Sequence, residues 1–210
     1  MNFKIFDVKI NFSFYFAFIF IFLIMTSQTE LILALFVSLC HELGHILAMY
    51  IFKVSIFKIN ITPCSVDIIH NSPVISYKKE IVILLSGPIS NFFLSILFFY
   101  MNVFYNQNFL RILYYQNIII GTINLLPISS LDGGMLFSIF LRKYFSEKVS
   151  NQLSFVVSII FIIPIMCSGF LILIRSNFNV SGVLLSIYLS YLLIFQKWDN
   201  KRYNSYLTEK

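Results

Sequence analysis

The sequence predicts a mainly α-helical, polytopic membrane protein. It reads as about six transmembrane helices, with a small cytoplasmic-side β-hairpin or sheet between the second and third. Composition, the spacing of apolar runs and the placement of basic residues together predict this. Apolar residues make up 59% of the 210 residues and charged residues 11%, against roughly 45–50% and 25% in soluble chains. Mean hydropathy is +0.85, and Phe alone contributes 25 residues. So few charges cannot cover the surface of a soluble fold, and the same numbers exclude intrinsic disorder. The three cysteines, Cys40, Cys64 and Cys167, form neither a disulfide framework nor a four-cysteine metal site. The basic balance fits membrane orientation, so no nucleic-acid partner is implied.

Runs of the roughly 17–25 residues needed to cross a bilayer fall at about 10–26, 31–52, 81–104, 112–141, 153–174 and 180–196. The first, preceded by Lys4 and Lys9, also has the look of a signal peptide. Met25 and Ser27 make a poor small-x-small cleavage site, so the reading keeps it as a span. The fourth run is too long for one straight helix, and Pro127, Gly133 and Gly134 mark where it breaks.

With six spans, the N-terminus, the 53–80 and 142–152 loops and the tail share one side. That side holds every Lys and Arg except Arg111 and Arg175. The positive-inside rule makes it cytoplasmic, with both termini there. Within the first loop, Lys53 to Thr62 alternates by two and is rich in β-branched residues, Pro63 interrupts it, and Val66 to Ile75 repeats the character. This is the expected hairpin or sheet; an irregular amphipathic loop is the other reading. No repeat or low-complexity linker divides the chain, so residues 1–210 read as one membrane domain.

Of nine acidic residues, only Glu42 and Asp132 lie inside apolar stretches, as do two of three histidines, His41 and His45. Ionisable groups at membrane depth are costly and functional by default. Three of the four form His41-Glu42-Leu43-Gly44-His45. On a helix, positions i and i+4 share a face, so both imidazoles can bind one metal ion. Glu42 then reaches the outer shell of that ion, where it can deprotonate a water the metal has acidified. This is the H-E-x-x-H pattern of metalloproteases. A chance match, with these groups serving as interhelical hydrogen-bond glue, would require three costly residues to gather in one apolar span by accident. Cys40 points about 100° away from His41 and reads as core packing.

A catalytic zinc needs a third protein ligand and one open position. No histidine follows in Ile46 to Ile51, and Glu80 and Glu147 sit at span ends. Asp132 is the remaining oxygen ligand at membrane depth. It lies in Asn124-Leu-Leu-Pro-Ile-Ser-Ser-Leu-Asp132-Gly-Gly134, broken backbone of a kind that survives in a membrane only when buried in protein or lining a wet cavity. The plainer reading is a Pro/Gly kink with a helix-capping aspartate.

These segments resemble the site-2 protease family of intramembrane zinc metalloproteases. H-E-x-x-H in one span and N-x-x-P…L-D-G-G in a later one carry the resemblance, and Ser86-Gly87-Pro88-Ile-Ser-Asn91 is similar to a G-P-x-x-N stretch of the same family. The zinc-motif core would cover about 31–141, with helices five and six at about 153–196. The resemblance implies one zinc per chain on His41, His45 and Asp132, with Glu42 activating water. It also implies a six-span architecture like that of the sporulation proteases that process a membrane-bound pro-sigma factor. Ser130 and Met135 stand where members commonly carry a proline and a basic residue, which bears on substrate preference. Neither a PDZ-like insertion between the zinc motifs nor a CBS domain is expected.

Asn91 and Asn124 can hydrogen-bond across helices, hold a substrate strand or stabilise an oxyanion. For Asn124 the two kinds of role stand even; for Asn91 packing is favoured. The expected function is a bacterial cell-membrane endopeptidase cutting a membrane-embedded or membrane-tethered peptide and so releasing a regulatory protein. Its partners are the bilayer, that substrate and, as open additions, a regulatory membrane protein or a second copy. A metal-ion transporter is a rival, disfavoured because residues 153–196 contain one ionisable group, Arg175. A non-catalytic, client-binding relative is the other.

Overall fold

The computed structural model describes residues 2–5, 8–12, 29–54, 56–61, 66–70, 76–175, 183, 186–191 and 193. The protein is mainly helical. Its described helices are α1 (Thr29–Ile51), α2 (Tyr77–Tyr105), α3 (Asn108–Asn124), α4 (Asp132–Arg142) and α5 (Glu147–Arg175), and residues 186–191 are helical as well. Helices α1, α2 and α5, of 23, 29 and 29 residues, are long and apolar enough to cross a membrane. They coincide with the second, third and fifth runs of the sequence. Most of the first run, residues 13–26, lies outside the described residues, as does much of the sixth.

Strands β1 (Asn2–Ile5), β2 (Val8–Phe12), β3 (Ile56–Ile61) and β4 (Val66–His70) pair in the order β1-β2-β3-β4. The outer two pairings are antiparallel and β2 runs parallel to β3, with Lys9 opposite Lys58. Residues 10–12, which hydropathy assigns to the first span, thus belong to a strand. Val8-Lys-Ile-Asn-Phe12 alternates apolar and polar with period two, the strand spacing.

The chain divides into two compact units, Met1–Ile123 and Asn124–Lys210. In the first, α1 and α2 pack along matching stripes. Val37, His41, His45 and Met49 are buried at four-residue intervals on α1, and Ile83, Gly87, Asn91 and Ser95 on α2. Such i±4 rows are the ridges by which helices interdigitate. The other faces stay apolar: Leu43, Leu47, Ile89 and Phe93 are each more than half exposed, as suits side chains that meet lipid rather than water.

Helix α1 ends in a Schellman motif. Val54 N–H donates to the Met49 carbonyl at 2.9 Å and Lys53 N–H to that of Tyr50 at 3.1 Å, while Lys53 takes a left-handed φ of 55°. Val54 closes the motif by packing with Met49, Ala48 and Ile83. Helices α2 and α3 form a hairpin joined by Asn106 and Gln107. Asn106 is left-handed (φ 46°, ψ 45°) and its N–H donates to the Asn102 carbonyl, a conformation Asn tolerates better than most residues. Gln116 Nε2 ties α3 to α1 by donating to the Glu30 carbonyl at 2.8 Å.

In the second unit, the segment between Asn124 and Asp132 is non-helical, so the long fourth run does break. The glycines act differently from the sequence reading, which took them as the break itself. Gly133 and Gly134 lie in the first turn of α4, and a Cβ on either would strike the carbonyls of Leu125, Leu126 or Ile128. They let the preceding loop fold back across the helix start. That loop is anchored by Ile128, which is fully buried with Ile162, Leu189 and Leu193. Ser129 N–H donates to Ser158 Oγ at 2.8 Å, and Ser158 Oγ donates to the Ser154 carbonyl at 2.6 Å.

A left-handed conformation costs a side-chain-bearing residue about 1–2 kcal/mol that glycine does not incur. Lys53→Gly should therefore raise stability by about 1 kcal/mol, read as a higher midpoint in thermal unfolding of detergent-solubilised protein. A lower midpoint would mean that the Lys53 side chain contributes more than its backbone geometry costs.

Candidate metal centre

Helix α1 carries His41 and His45 one turn apart on its buried stripe, 4% and 7% exposed respectively. Their rings stand almost perpendicular, at 82°, with centroids 4.9 Å apart. The Nε2 atoms converge to 3.2 Å. Both Nδ1 atoms are engaged from α2: that of His45 donates to the Ile83 carbonyl at 2.8 Å, and that of His41 lies 3.2 Å from Asn91 Oδ1. A carbonyl only accepts, so His45 must carry its proton on Nδ1 and keeps a lone pair on Nε2. With Asn91 Oδ1 accepting from His41, that residue is in the same state. Two inward-facing lone pairs at this distance repel unless a cation or a shared proton lies between them.

The separation fits such a cation. Two nitrogens bound to one tetrahedral zinc at about 2.0–2.1 Å lie roughly 3.3–3.4 Å apart. The wall opposite the rings is equally specific. A Cβ at Gly87 would press on His45 Nε2 and come within 2.6 Å of His45 Cε1 and 2.7 Å of His41 Nε2. Gly44, between the histidines, permits the same close approach from α1: a Cβ there would lie 2.7 Å from the Ser86 carbonyl oxygen and 2.7 Å from Ser90 Oγ. The residues thus suit a divalent metal by donor type, tautomer, spacing and space.

Glu42 follows His41 on α1 and is partly buried. Asp132 opens α4 in the second unit, in the first helical turn, where the positive end of a helix favours a carboxylate. Asn124 is the last residue of α3 and partly buried. Asn91, read from the sequence as a packing residue able to bond across helices, is fully buried, and its amide oxygen faces His41 on α1. The sequence did hold a signal: Gly87 and Asn91 are four apart in the helix that follows the strands, so they share one face.

Residues 104–167 match peptidase family M50. The matched segment is under a third of the chain and contains Asn124 and Asp132 but not His41–His45. Among solved structures, the fold is similar to that of the site-2 protease from Methanocaldococcus jannaschii, with a TM-score of 0.69 and 22% identity over 92% of this chain and 93% of that one. The chain resembles the site-2 protease family in motif and in fold. No curated protein matches the sequence significantly. Family M50 consists of peptidases, and the three long apolar helices among the described residues suit a membrane protein with a site-2 protease-like fold.

Since a methyl group at Gly87 would intrude on both Nε2 atoms, Gly87→Ala should sharply weaken zinc binding while leaving the helices intact. Zinc content by mass spectrometry and helicity by circular dichroism report the two separately. Undiminished zinc in this variant would show that the metal does not lie between these rings.

Proposed function

We propose that the protein is an intramembrane zinc endopeptidase acting as one domain over residues 1–210, built on six spans, with one zinc per chain held by His41, His45 and Asp132. The observation that carries this is the His41–His45 pair, whose Nε2 atoms are turned toward each other at 3.2 Å by partners on α2. Bound there, zinc would supply Lewis-acid chemistry, acidifying water and polarising a carbonyl.

The chain's own residues do the rest. Glu42 takes a proton from the attacking water and returns it to the leaving amine, so a single carboxylate serves as base and then acid. A helical substrate hides its scissile carbonyls in hydrogen bonds, so it must unwind before attack. The outer edge of β4 offers main-chain groups for an added strand, which would hold the peptide extended. Asn124 lies in the motif that leads to Asp132 and is the residue proposed to hold that strand or the developing oxyanion. The substrate is a membrane-embedded or membrane-tethered segment, and its cleavage would release a regulatory protein. The distribution of Lys and Arg supports an orientation with both termini and residues 53–80 on the cytoplasmic side of what would be a bacterial cell membrane.

Glu42→Gln preserves size but cannot accept the proton. It should retain zinc and stability while cleavage falls by about 10²–10⁴-fold; His41→Ala and Asp132→Ala should lose metal and activity together. The assay is co-expression with tethered candidate peptides, read as a gel shift of the product, alongside zinc analysis of each purified variant. Cleavage by Glu42→Gln at the parent rate would sink the mechanism, and full zinc in Asp132→Ala would remove that residue from the ligand set.

Topology has its own test. A single cysteine introduced at Ser72, in an otherwise cysteine-free chain, should stay unlabelled by an impermeant thiol reagent in intact cells and react after lysis. Ready labelling from outside would reverse the orientation.

A further inference from the structure

We infer that Asn91 is a positioning residue for the metal centre: its amide oxygen holds His41 in the Nδ1–H tautomer and keeps the Nε2 lone pair on the metal side. This rests on the proposal that His41 is a ligand. The motif containing Asn91 sits on a different helix from either histidine, and packing alone gives a poor account of it. Asn91 is completely buried, and its Nδ2 finds no hydrogen-bond partner among the described residues. A buried donor left unpaired is costly, so a site wanting only bulk would take an apolar side chain.

The orientation of the amide explains the cost. With Oδ1 at 3.2 Å from His41 Nδ1, the imidazole proton stays on Nδ1. Turned over, the amide would donate to Nδ1 and move that proton to Nε2, where it would block metal binding. For His45 the Ile83 carbonyl performs the same task, and being only an acceptor it needs no orienting. The amide does need it. Helix α3 supplies a backstop: a Cβ at Gly121 would meet Asn91 Cβ at 3.2 Å and the Phe92 ring at 3.4 Å, so α3 packs directly behind this side chain.

The test compares Asn91→Leu and Asn91→Asp in full-length protein purified in detergent. Zinc affinity is measured by competition with a chromophoric chelator, and folding by circular dichroism. Asp keeps an acceptor for Nδ1–H, so it should hold zinc within a few-fold of the parent; Leu keeps the volume but not the acceptor and should bind about 10–100-fold more weakly. A packing role predicts the reverse order, since Leu suits a buried site and an added carboxylate does not. Parent-like affinity in Asn91→Leu, or equal weakness in both variants, would overturn the inference. Should Asn91→Leu fail to fold, the Asp variant decides, and a loss of tenfold or more in it counts against the proposal. The tautomer is read independently from imidazole ¹⁵N shifts of the metal-free parent: a proton on His41 Nδ1 is expected, and an unprotonated Nδ1 would overturn it. A parent that binds no zinc would defeat the metal-centre reading, while the ¹⁵N result would still judge Asn91's hold on His41.

Discussion

The close approach of two helix backbones at Gly44 and Gly87 sets the geometry of the candidate centre. Side chains are missing where α1 and α2 meet, so the histidine stripe of one helix lies against the main chain of the other. Only at that spacing can His45 reach a backbone carbonyl and His41 a short amide side chain. The two hydrogen bonds fix both ring orientations and both tautomers, which a looser pair of helices could not do. Wider spacing would take from the two buried Nδ1 atoms the partners that α2 supplies, a penalty of about 1–3 kcal/mol for each group. Packing and chemistry are therefore one constraint here.

The second unit solves a different problem, that of interrupting a helix within an apolar sequence. A chain that leaves helical geometry frees backbone N–H and C=O groups, and lipid offers them nothing. Between Asn124 and Asp132 the freed donors find acceptors close by: Ile128 N–H reaches the Leu126 carbonyl at 2.7 Å, Leu131 N–H the Ile128 carbonyl at 2.8 Å, and Ser129 N–H the Ser158 hydroxyl. Pro127 needs no acceptor at all. Tight turns and one serine on α5 thus stand in for water, and Gly133 and Gly134 give the loop room to pass.

Charge at membrane depth singled out His41, Glu42, His45 and Asp132 as candidates, because ionisable residues are costly in an apolar sequence. Length and hydropathy likewise located α1, α2 and α5, and Pro127 announced the broken fourth run. What escaped notice depended on distances between segments. That Asn91 could bond across helices was legible but its partner was not, because that partner lies 50 positions earlier and periodicity says nothing about which polar atom a neighbouring helix presents. The glycines of α4 were taken for helix breakers because glycine disfavours helices locally; their need comes from a loop that crosses them. Residues 10–12 were absorbed into a span because hydropathy averaging erases the alternation that makes Val8–Phe12 a strand.

The α2–α3 hairpin bears on biosynthesis. Its connection is only Asn106 and Gln107, so both helices can enter the bilayer as one piece, with only the short polar tip from Asn106 to Arg111 to carry across. Asn91 would be an expensive residue for a solitary helix to expose to lipid. Inside the hairpin it is backed by α3 at Gly121 from the start, and α1 contributes the imidazole that its oxygen engages. A paired entry would thus shield this buried amide during insertion, before the site it serves has been assembled.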